Sequence, residues 1–369
     1  MSPSGSWAIV SVGEVCEFKY GKSLPTAERS GNSIAVFGSN GVVGYHNKSL
    51  TCGVTIVIGR KGSFGEVNYS NSSCWPIDTT YYVDTTCTEV DLRWLYYQLS
   101  YLPLKQLNKA AAIPGLNRDD AHRLRILLPP LPEQRRIAEL LDRVDMLLAK
   151  RRKVVVHLDE LAQSIFLDMF GDPTKNTKGY PFVKLGDLAE IGNGGTPSRK
   201  STEYFNGKIP WVKTAEVRGQ LITDTQEKIS EIGRVAARCR IFPRGSIVIA
   251  LYGQGKTRGN CAVLGVDAAT NQACAVLSPS SSYETWFLFA QLKMAYARLR
   301  ALGRGGNQAN LNLRMIADFK VVLPDLAVQC DFVRRVEAID ELRASHRHHL
   351  AELDALFASL QHRAFRGEL

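Results

Sequence analysis

Leu128-Pro129-Pro130-Leu131-Pro132-Glu133-Gln134 recurs 195 residues later, as Leu323-Pro324-Asp325-Leu326-Ala327-Val328-Gln329. The match then runs without a gap for about forty residues, with Asp145 meeting Asp340, Arg152 meeting Arg347, Leu158 meeting Leu353 and Phe170 meeting Phe365. A match of this length at one spacing marks an internal duplication. The same correspondence extends upstream. Val10-Ser11-Val12-Gly13-Glu14 resembles Val183-Lys184-Leu185-Gly186-Asp187, and Glu17 and Gly21 meet Glu190 and Gly194. Gln98-Leu99 resembles Gln291-Leu292, and Leu116-Asn117 resembles Leu311-Asn312. The chain therefore reads as module, helix, module, helix, over residues 1–130, 131–172, 173–323 and 324–369. The modules share a frame and differ in their middles, as expected of two units doing one job on different targets.

The segment after Leu131 has a heptad pattern over residues 133–169. With Ile137 as position a, the a and d sites are Ile137, Leu140, Val144, Leu147, Arg151, Val154, Leu158, Leu161, Ile165 and Asp168. Apolar residues at most of these sites predict a coiled-coil helix. Pro132 suits its first turn, Glu133 the positive end of its dipole, and Gly171-Asp172-Pro173 its end. The second copy gives Phe332, Arg335, Ile339, Leu342, His346, His349, Leu353, Leu356, Leu360 and Arg363, a weaker stripe. Each helix of about 36 residues is about 54 Å long and needs a partner for its seam. The sister helix, returning antiparallel, is the nearest candidate. Ile137, Val144, Leu158, Leu161, Ile339, Leu342, Leu353 and Leu356 are the expected pairing residues. Arg151 and His346 interrupt both stripes at one slot, near the middle of an antiparallel pair. They either form a polar layer that fixes register or reach out to solvent.

Both modules are rich in short β-branched and aromatic runs broken by Gly, Asn and Pro. Thr55–Ile58, Tyr81–Val83, 246–249 and 275–277 read as strands, and residues 91–108 and 284–301 as helices. The expected class is α+β. The formal charge is +10. Residues 1–128 carry 12 basic and 10 acidic side chains, 129–172 carry 7 and 8, 173–322 carry 21 and 10, and 323–369 carry 6 and 8. The excess sits on the second module, which suits contact with phosphates. The first module, near neutral, is expected to lean more on shape and neutral polar contacts.

Three Gly-rich loops carry the basic residues: Gly59–Gly65, Gly253–Asn260 and residues 303–308. Glycine lets a backbone approach a phosphate, Arg and Lys supply charge, and Gln, Asn and Arg can read base edges. The candidate DNA-contacting residues are Arg60, Lys61, Ser63, Lys213, Arg218, Tyr252, Gln254, Lys256, Arg258, Arg304, Asn307 and Gln308. Tyr45, Trp75 and Trp211 are further aromatics of the kind that stack on bases, although such rings more often belong to a core.

Several classes lack support. None of the loops is a G-x-x-x-x-G-K-[ST] phosphate loop. There is no N-P-P-[YF] tetrapeptide of amino-methyltransferases and no nuclease-like carboxylate–lysine cluster, so no catalytic residue is assigned. The eight cysteines include no C-x-x-C pair and read as reduced, mostly buried thiols. His346-Arg347-His348-His349 is not read as a metal site. No apolar run is long enough to span a membrane, and Met1–Trp7 is not read as a signal peptide.

Two variable modules alternating with two repeated long helices, and the Leu128–Ile137 stretch in particular, resemble the specificity subunits of type I restriction–modification systems. Gly59–Gly65, Gly186-Asp187-Leu188 and Phe365-Arg366-Gly367-Glu368-Leu369 suit that family. Ala327-Val328 departs from it where Pro-Glu is usual. The resemblance implies two similar α/β target recognition domains, one per half of a bipartite double-stranded DNA sequence. It implies two long antiparallel coiled-coil helices between them as a ruler, the whole a pseudo-two-fold duplication in the bacterial or archaeal cytoplasm. It implies partners: two modification subunits that methylate adenine N6 with S-adenosylmethionine, and restriction subunits that use ATP and Mg. No cofactor is expected on this chain itself. A stand-alone DNA-binding regulator and a coiled-coil protein scaffold are the alternatives.

Overall fold

The computed structural model describes residues 7–107, 115–173, 175–253, 255, 257–303 and 310–369. The chain divides into two compact units, Met1–Val154 with His346–Leu369, and Val155–Ser345. Each unit takes one module and one half of each long helix.

In the first unit, Ala8–Ser11 pairs antiparallel with Arg125–Leu128 and brings the two ends of the module together. Between them lies a four-stranded sheet in the order Lys19–Tyr20, Thr80–Asp84, Thr55–Gly59, Val67–Ser70. Thr55–Gly59 is central and covered on both faces, which is why it reads as an unbroken apolar run rather than an alternation. Ile56 and Ile58 face a core with Phe18, Val83, Trp94 and Leu95. Val57 faces the other way, onto Phe37 and Cys74. Those two residues belong to, or adjoin, a three-stranded sheet of Gly41–His46, Ile34–Gly38 and Trp75–Pro76. The helix expected over 91–108 spans Leu92–Tyr101, capped by the Asp91 carboxylate, which accepts from the Arg93 and Trp94 amides. It stops there because Pro103 holds Leu102 extended.

The second unit repeats the plan with different residues. Phe182–Lys184 pairs with Lys320–Val322. Its main sheet runs Ile191–Asn193, Cys274–Leu277, Ile247–Ala250, Cys261–Leu264, with Leu221–Ile222 added at the edge. A three-stranded sheet of Lys228–Ile229, Ile209–Val212 and Ala269–Thr270 lies beside it. The helical stretch expected over 284–301 is two helices, Thr285–Met294 and Tyr296–Ala301.

The long helices are Leu131–Phe170 and Leu326–Phe365, 40 residues each. Both begin at the same place in the repeat, so Ala327-Val328 does not delay the second. A buried glutamine explains this. Gln134 accepts from the Asp91 amide and donates to the Pro129 carbonyl, both at 2.9 Å. Gln329 accepts from the Glu284 amide at 2.9 Å and donates to the Pro324 carbonyl at 2.8 Å. Each glutamine pins the start of a long helix to the residue capping its own module's helix. Gly171, at φ +73°, closes the first helix, its amide bonded to the Leu167 carbonyl.

Within each unit the two long helices pack in opposite directions. In the first, Ile137, Ala138 and Leu141 share a core with Phe357, Leu360, Ala364 and Phe365. In the second, Phe166 and Phe170 pack with Phe332, Val333 and the module's Phe287. The Phe166, Phe170, Phe287 and Phe332 rings make mutual edge and stacked contacts with centroids 4.8–6.2 Å apart.

The seam differs from the expected one by half. Positions 137, 144, 151, 158 and 165 are buried or half-buried, as are 332, 339, 346, 353 and 360. The alternate row lies four residues on rather than three, at 141, 148, 155, 162 and 169, and at 336, 343, 350, 357 and 364. Leu161, Leu342 and Leu356, expected to pair, are instead 47%, 54% and 46% exposed. At the polar slot, Arg151 Nη1 donates to His346 Nδ1 at 2.7 Å, so the two form a layer rather than separate solvent-directed side chains. Arg152–Asp354 in the first unit and Arg343–Asp159 in the second add ion pairs between the helices.

Candidate nucleic-acid interface

The Gly59–Gly65 loop in the first unit is closed by its own backbone. The Gly59 amide bonds to the Glu66 carbonyl at 2.7 Å, and the Gly65 amide to the Gly59 carbonyl at 2.8 Å. A Cβ on Gly59 would stand 2.2 Å from the Ser63 carbonyl. The glycine there serves the turn itself. Ser63 sits exposed on it.

Arg60 and Lys61 follow the central strand and are fixed at the backbone, both amides donating to the Thr79 carbonyl at 2.9 and 3.1 Å. The Arg60 guanidinium donates to the Asp78 carbonyl at 2.7 Å and lies 5.3 Å from the Tyr20 ring centroid. Arg118, which the sequence reading did not single out, lies 5.3 Å from the same ring. With Lys61, Tyr81 and the turn at 115–119 these residues line a depression of about 400 Å³. Tyr81 donates to the Leu116 carbonyl at 3.1 Å. Burial, reinforced by Tyr20, pushes its phenol up to about 12 against the pull of Arg60 and Arg118. It is neutral at neutral pH and donates that hydrogen bond.

In the second unit four of the expected residues, Lys213, Arg218, Tyr252 and Arg258, are among the described ones. Lys213 is held by Glu227 at 2.6 Å, and Arg199 holds the other oxygen of that carboxylate at 2.6 Å. These two cations keep the Glu227 carboxyl below its ordinary range. Lys213 is thus tied into a structural pair. Arg218 is exposed and bonded to the Ala215 carbonyl. Tyr252 is exposed beside the second Gly-rich loop. Arg258 lies on that loop, its Nε buried with no hydrogen-bond partner among the described residues. Arg300, also missed from the sequence, props the loop by donating to the Gly255 and Arg258 carbonyls at 2.7 and 3.2 Å. Gln254, Lys256, Arg304, Asn307 and Gln308 lie outside the described residues. Of the other aromatics, Trp211 is buried with its indole N–H on the Gly195 carbonyl, a core position. Trp75 is half-buried and bonded to the Lys22 carbonyl, and Tyr45 is exposed.

The frame common to both units matches a family model twice. Residues 5–157 and 177–355 each match the type I restriction modification DNA specificity domain.

The chain belongs to this family.

Relatives among the specificity subunits are distant. The HindI specificity subunit of Haemophilus influenzae is 25% identical over 52% of this chain and 42% of its own length. The MjaIX specificity subunit of Methanocaldococcus jannaschii is 20% identical over 72% of this chain and 65% of its own. The EcoR124I/EcoR124II specificity subunit of Escherichia coli is 22% identical, over 69% and 64%. The matched stretches thus cover less than two thirds of these relatives. The solved S subunit of a type I restriction–modification system from M. genitalium superposes with a TM-score of 0.64 at 17% identity, covering 99% of this chain and 97% of that one. A chain from a study of complex assembly in the type I system gives 0.61 at 18% identity, with full coverage of both. At such identity the likeness is one of fold.

Between the two units of this chain, the shared parts are the paired end strands, the buried glutamine and the long helices. Among the described residues no helix is long and apolar enough to cross a membrane. No His, Cys, Asp or Glu group of three or more that could hold a metal is gathered there either.

Proposed function

We propose that this chain is the non-catalytic DNA specificity subunit of a type I restriction–modification complex. Each module would read one half of a bipartite double-stranded target. Membership of the specificity-domain family, with the domain present twice, carries this reading. The exposed cations beside Gly-rich loops support it, because Arg and Lys at phosphates position a protein and side chains at base edges specify it. Arg60, Lys61, Ser63, Arg218, Tyr252 and Arg258 remain the described candidates. Lys213 would have to leave Glu227 to reach a phosphate.

The partners are two modification subunits methylating adenine N6 and, where present, restriction subunits. S-adenosylmethionine, ATP and Mg belong to them. Leu147 and Leu356 in the first unit, and Leu161 and Leu342 in the second, are left exposed outside the seam. Exposed leucines on the long helices would suit contact with an apolar surface of a modification subunit. Helix length acts as a ruler. Forty residues at about 1.5 Å give about 60 Å, an upper bound of roughly 18 base pairs between half-sites.

The test compares genomic adenine methylation with and without this chain. A bipartite pattern with a fixed non-specific spacer, lost on deletion, is expected. Deleting one matching heptad from both helices shortens that spacer, and an unchanged spacer refutes the ruler. Binding by the lone chain with full sequence preference would favour a stand-alone regulator. No binding alone or with a modification subunit would favour a scaffold.

A further inference from the structure

The depression around Tyr20 in the first unit gathers three cations. Arg60, Arg118 and Lys61 line it against one carboxylate, Asp119. Both guanidiniums lie within cation–π distance of the Tyr20 ring, at 5.3 Å each, and Arg60 is also 5.9 Å from Tyr81. A guanidinium carries its N–H donors on its edge, so resting its face on a ring fixes the plane without using the donors. The tethers are partial. Arg60 gives one terminal nitrogen to the Asp78 carbonyl, while its Nε is buried and has no partner among the described residues. Arg118 stands 3.8 Å from Asp119. Among the described residues nothing engages the Lys61 ammonium. Asn117 also lines the depression, its carbonyl oxygen occupied in capping the turn at 119–120.

Two planar forks, one mobile ammonium and a ring platform in a hollow of about 400 Å³ match a tetrahedral oxyanion. They match a base edge less well. Reading a base requires side chains that project into a groove, and here the cations line a concavity.

We propose that the Tyr20–Arg60–Arg118 depression is a seat for one backbone phosphate of the bound DNA, setting the register of the first module without reading a base. This rests on the DNA-binding reading above and names a contact within it.

The test uses the full chain assembled with its modification subunits and a mixed-sequence 40-base-pair duplex, titrated with salt. Arg118→Ala should weaken binding and flatten the slope of log K against log salt by about 0.9, the share of one phosphate contact. Arg118→Lys, which keeps the charge, should restore most of that slope. The methylated sequence should be unchanged in both. A thermal melt checks folding; if Arg118→Ala does not fold, the comparison of Arg118→Lys with Tyr20→Ala carries the test, the ring-deleted protein being the weaker binder.

Unchanged affinity and slope in folded Arg118→Ala would overturn the seat while leaving the DNA-binding reading intact. Altered preference at one base pair would overturn it in favour of base reading. Inorganic phosphate that stabilises the wild-type chain, with DNA binding indifferent to Arg118, would assign the hollow to a free anion and also overturn it. A wild-type complex that ignores DNA at every salt concentration would sink the DNA-binding reading and the seat together.

Discussion

Replacing Gln134 by Met tests whether the glutamine lock couples each long helix to its module. Methionine nearly matches glutamine in length and volume, so no large cavity forms. What is lost is both ends of a buried bridge: the Asp91 amide and the Pro129 carbonyl, each at 2.9 Å from a side chain only 3% exposed. Leaving a buried backbone group without a partner costs about 1–3 kcal/mol. Two such groups, allowing for partial relaxation toward solvent, give about 2–4 kcal/mol. For a unit of this size about 1 kcal/mol lowers Tm by roughly 2–4 °C, so a drop of about 4–16 °C is expected. Because Gln329 makes the same two bonds in the other unit, Gln329→Met should cost a similar amount there. The assay is calorimetry with hydrogen exchange resolved by peptide. The Asp91 amide should exchange faster in Gln134→Met and the Glu284 amide in Gln329→Met, with no crossover. A loss below about 0.5 kcal/mol, or equal deprotection of both amides by either substitution, refutes the lock.

The seam register predicts an asymmetry between neighbouring leucines. Leu141→Ala, fully buried, should cost about 2–5 kcal/mol, whereas Leu161→Ala, half in solvent, should stay within about 1 kcal/mol in the uncomplexed chain; comparable losses in urea unfolding would restore the three-residue spacing. Replacing Arg151 and His346 together by leucine should raise Tm, while Arg151→Leu alone should gain less, as expected where a polar layer sets register at the expense of stability; a higher-order oligomer or scrambled helix pairing in the double variant, by cross-linking, would show what the layer prevents. Burial chiefly, with Arg118 adding, holds the His122 pKa below its ordinary 6.5, and the neutral ring accepts the Phe18 amide at 3.2 Å. A depressed folded value means that stability is full above 6.5 and lost as pH falls through the folded value. His122→Gln should flatten that loss in melts taken from pH 7.5 to 5, and an unchanged pH profile counts against it.

The duplicated frame was legible because its signals are local: a proline-rich helix start, an apolar strand, a capping residue. Each is set by neighbours in sequence, and each recurs. The seam was half legible for a physical reason. Leu140-Leu141, Leu147-Leu148 and Val154-Val155 are apolar doublets, so spacings of three and four both find hydrophobic residues. Only packing decides, and it leaves Leu147 and Leu161 outside while Leu141 and Leu148 go in. The candidate site was less legible because it is assembled by sheet register. Tyr20 is brought to Arg60 by the pairing of Lys19–Tyr20 with Tyr81-Tyr82, and Arg118 by the bridge between Lys61 and Gly115. The one available signal was Leu116-Asn117, shared with Leu311-Asn312, which marks a turn that both units position at the same strand.

Net charge gives the excess of cations in a module and not which of them are free. The second module holds most of the excess, yet several of its cations are committed: Lys213 and Arg199 to Glu227, Arg240 to Glu190, Arg234 to Glu231, Lys184 to Asp318. The first module is nearly neutral in sum, and some of its cations are committed too: Arg93 to Asp142 of the long helix, Lys105 to Glu66, Arg123 to Asp120. Arg60, Arg118 and Lys61 are gathered around the Tyr20 depression. A phosphate within a Debye length of about 8 Å responds to that local group and not to the sum over the module. On the proposed DNA-binding function, both modules would therefore contribute to a salt-dependent hold on DNA despite their unequal totals. A salt slope that falls on neutralising cations in either module, rather than in the second alone, is the consequence of counting charges by place.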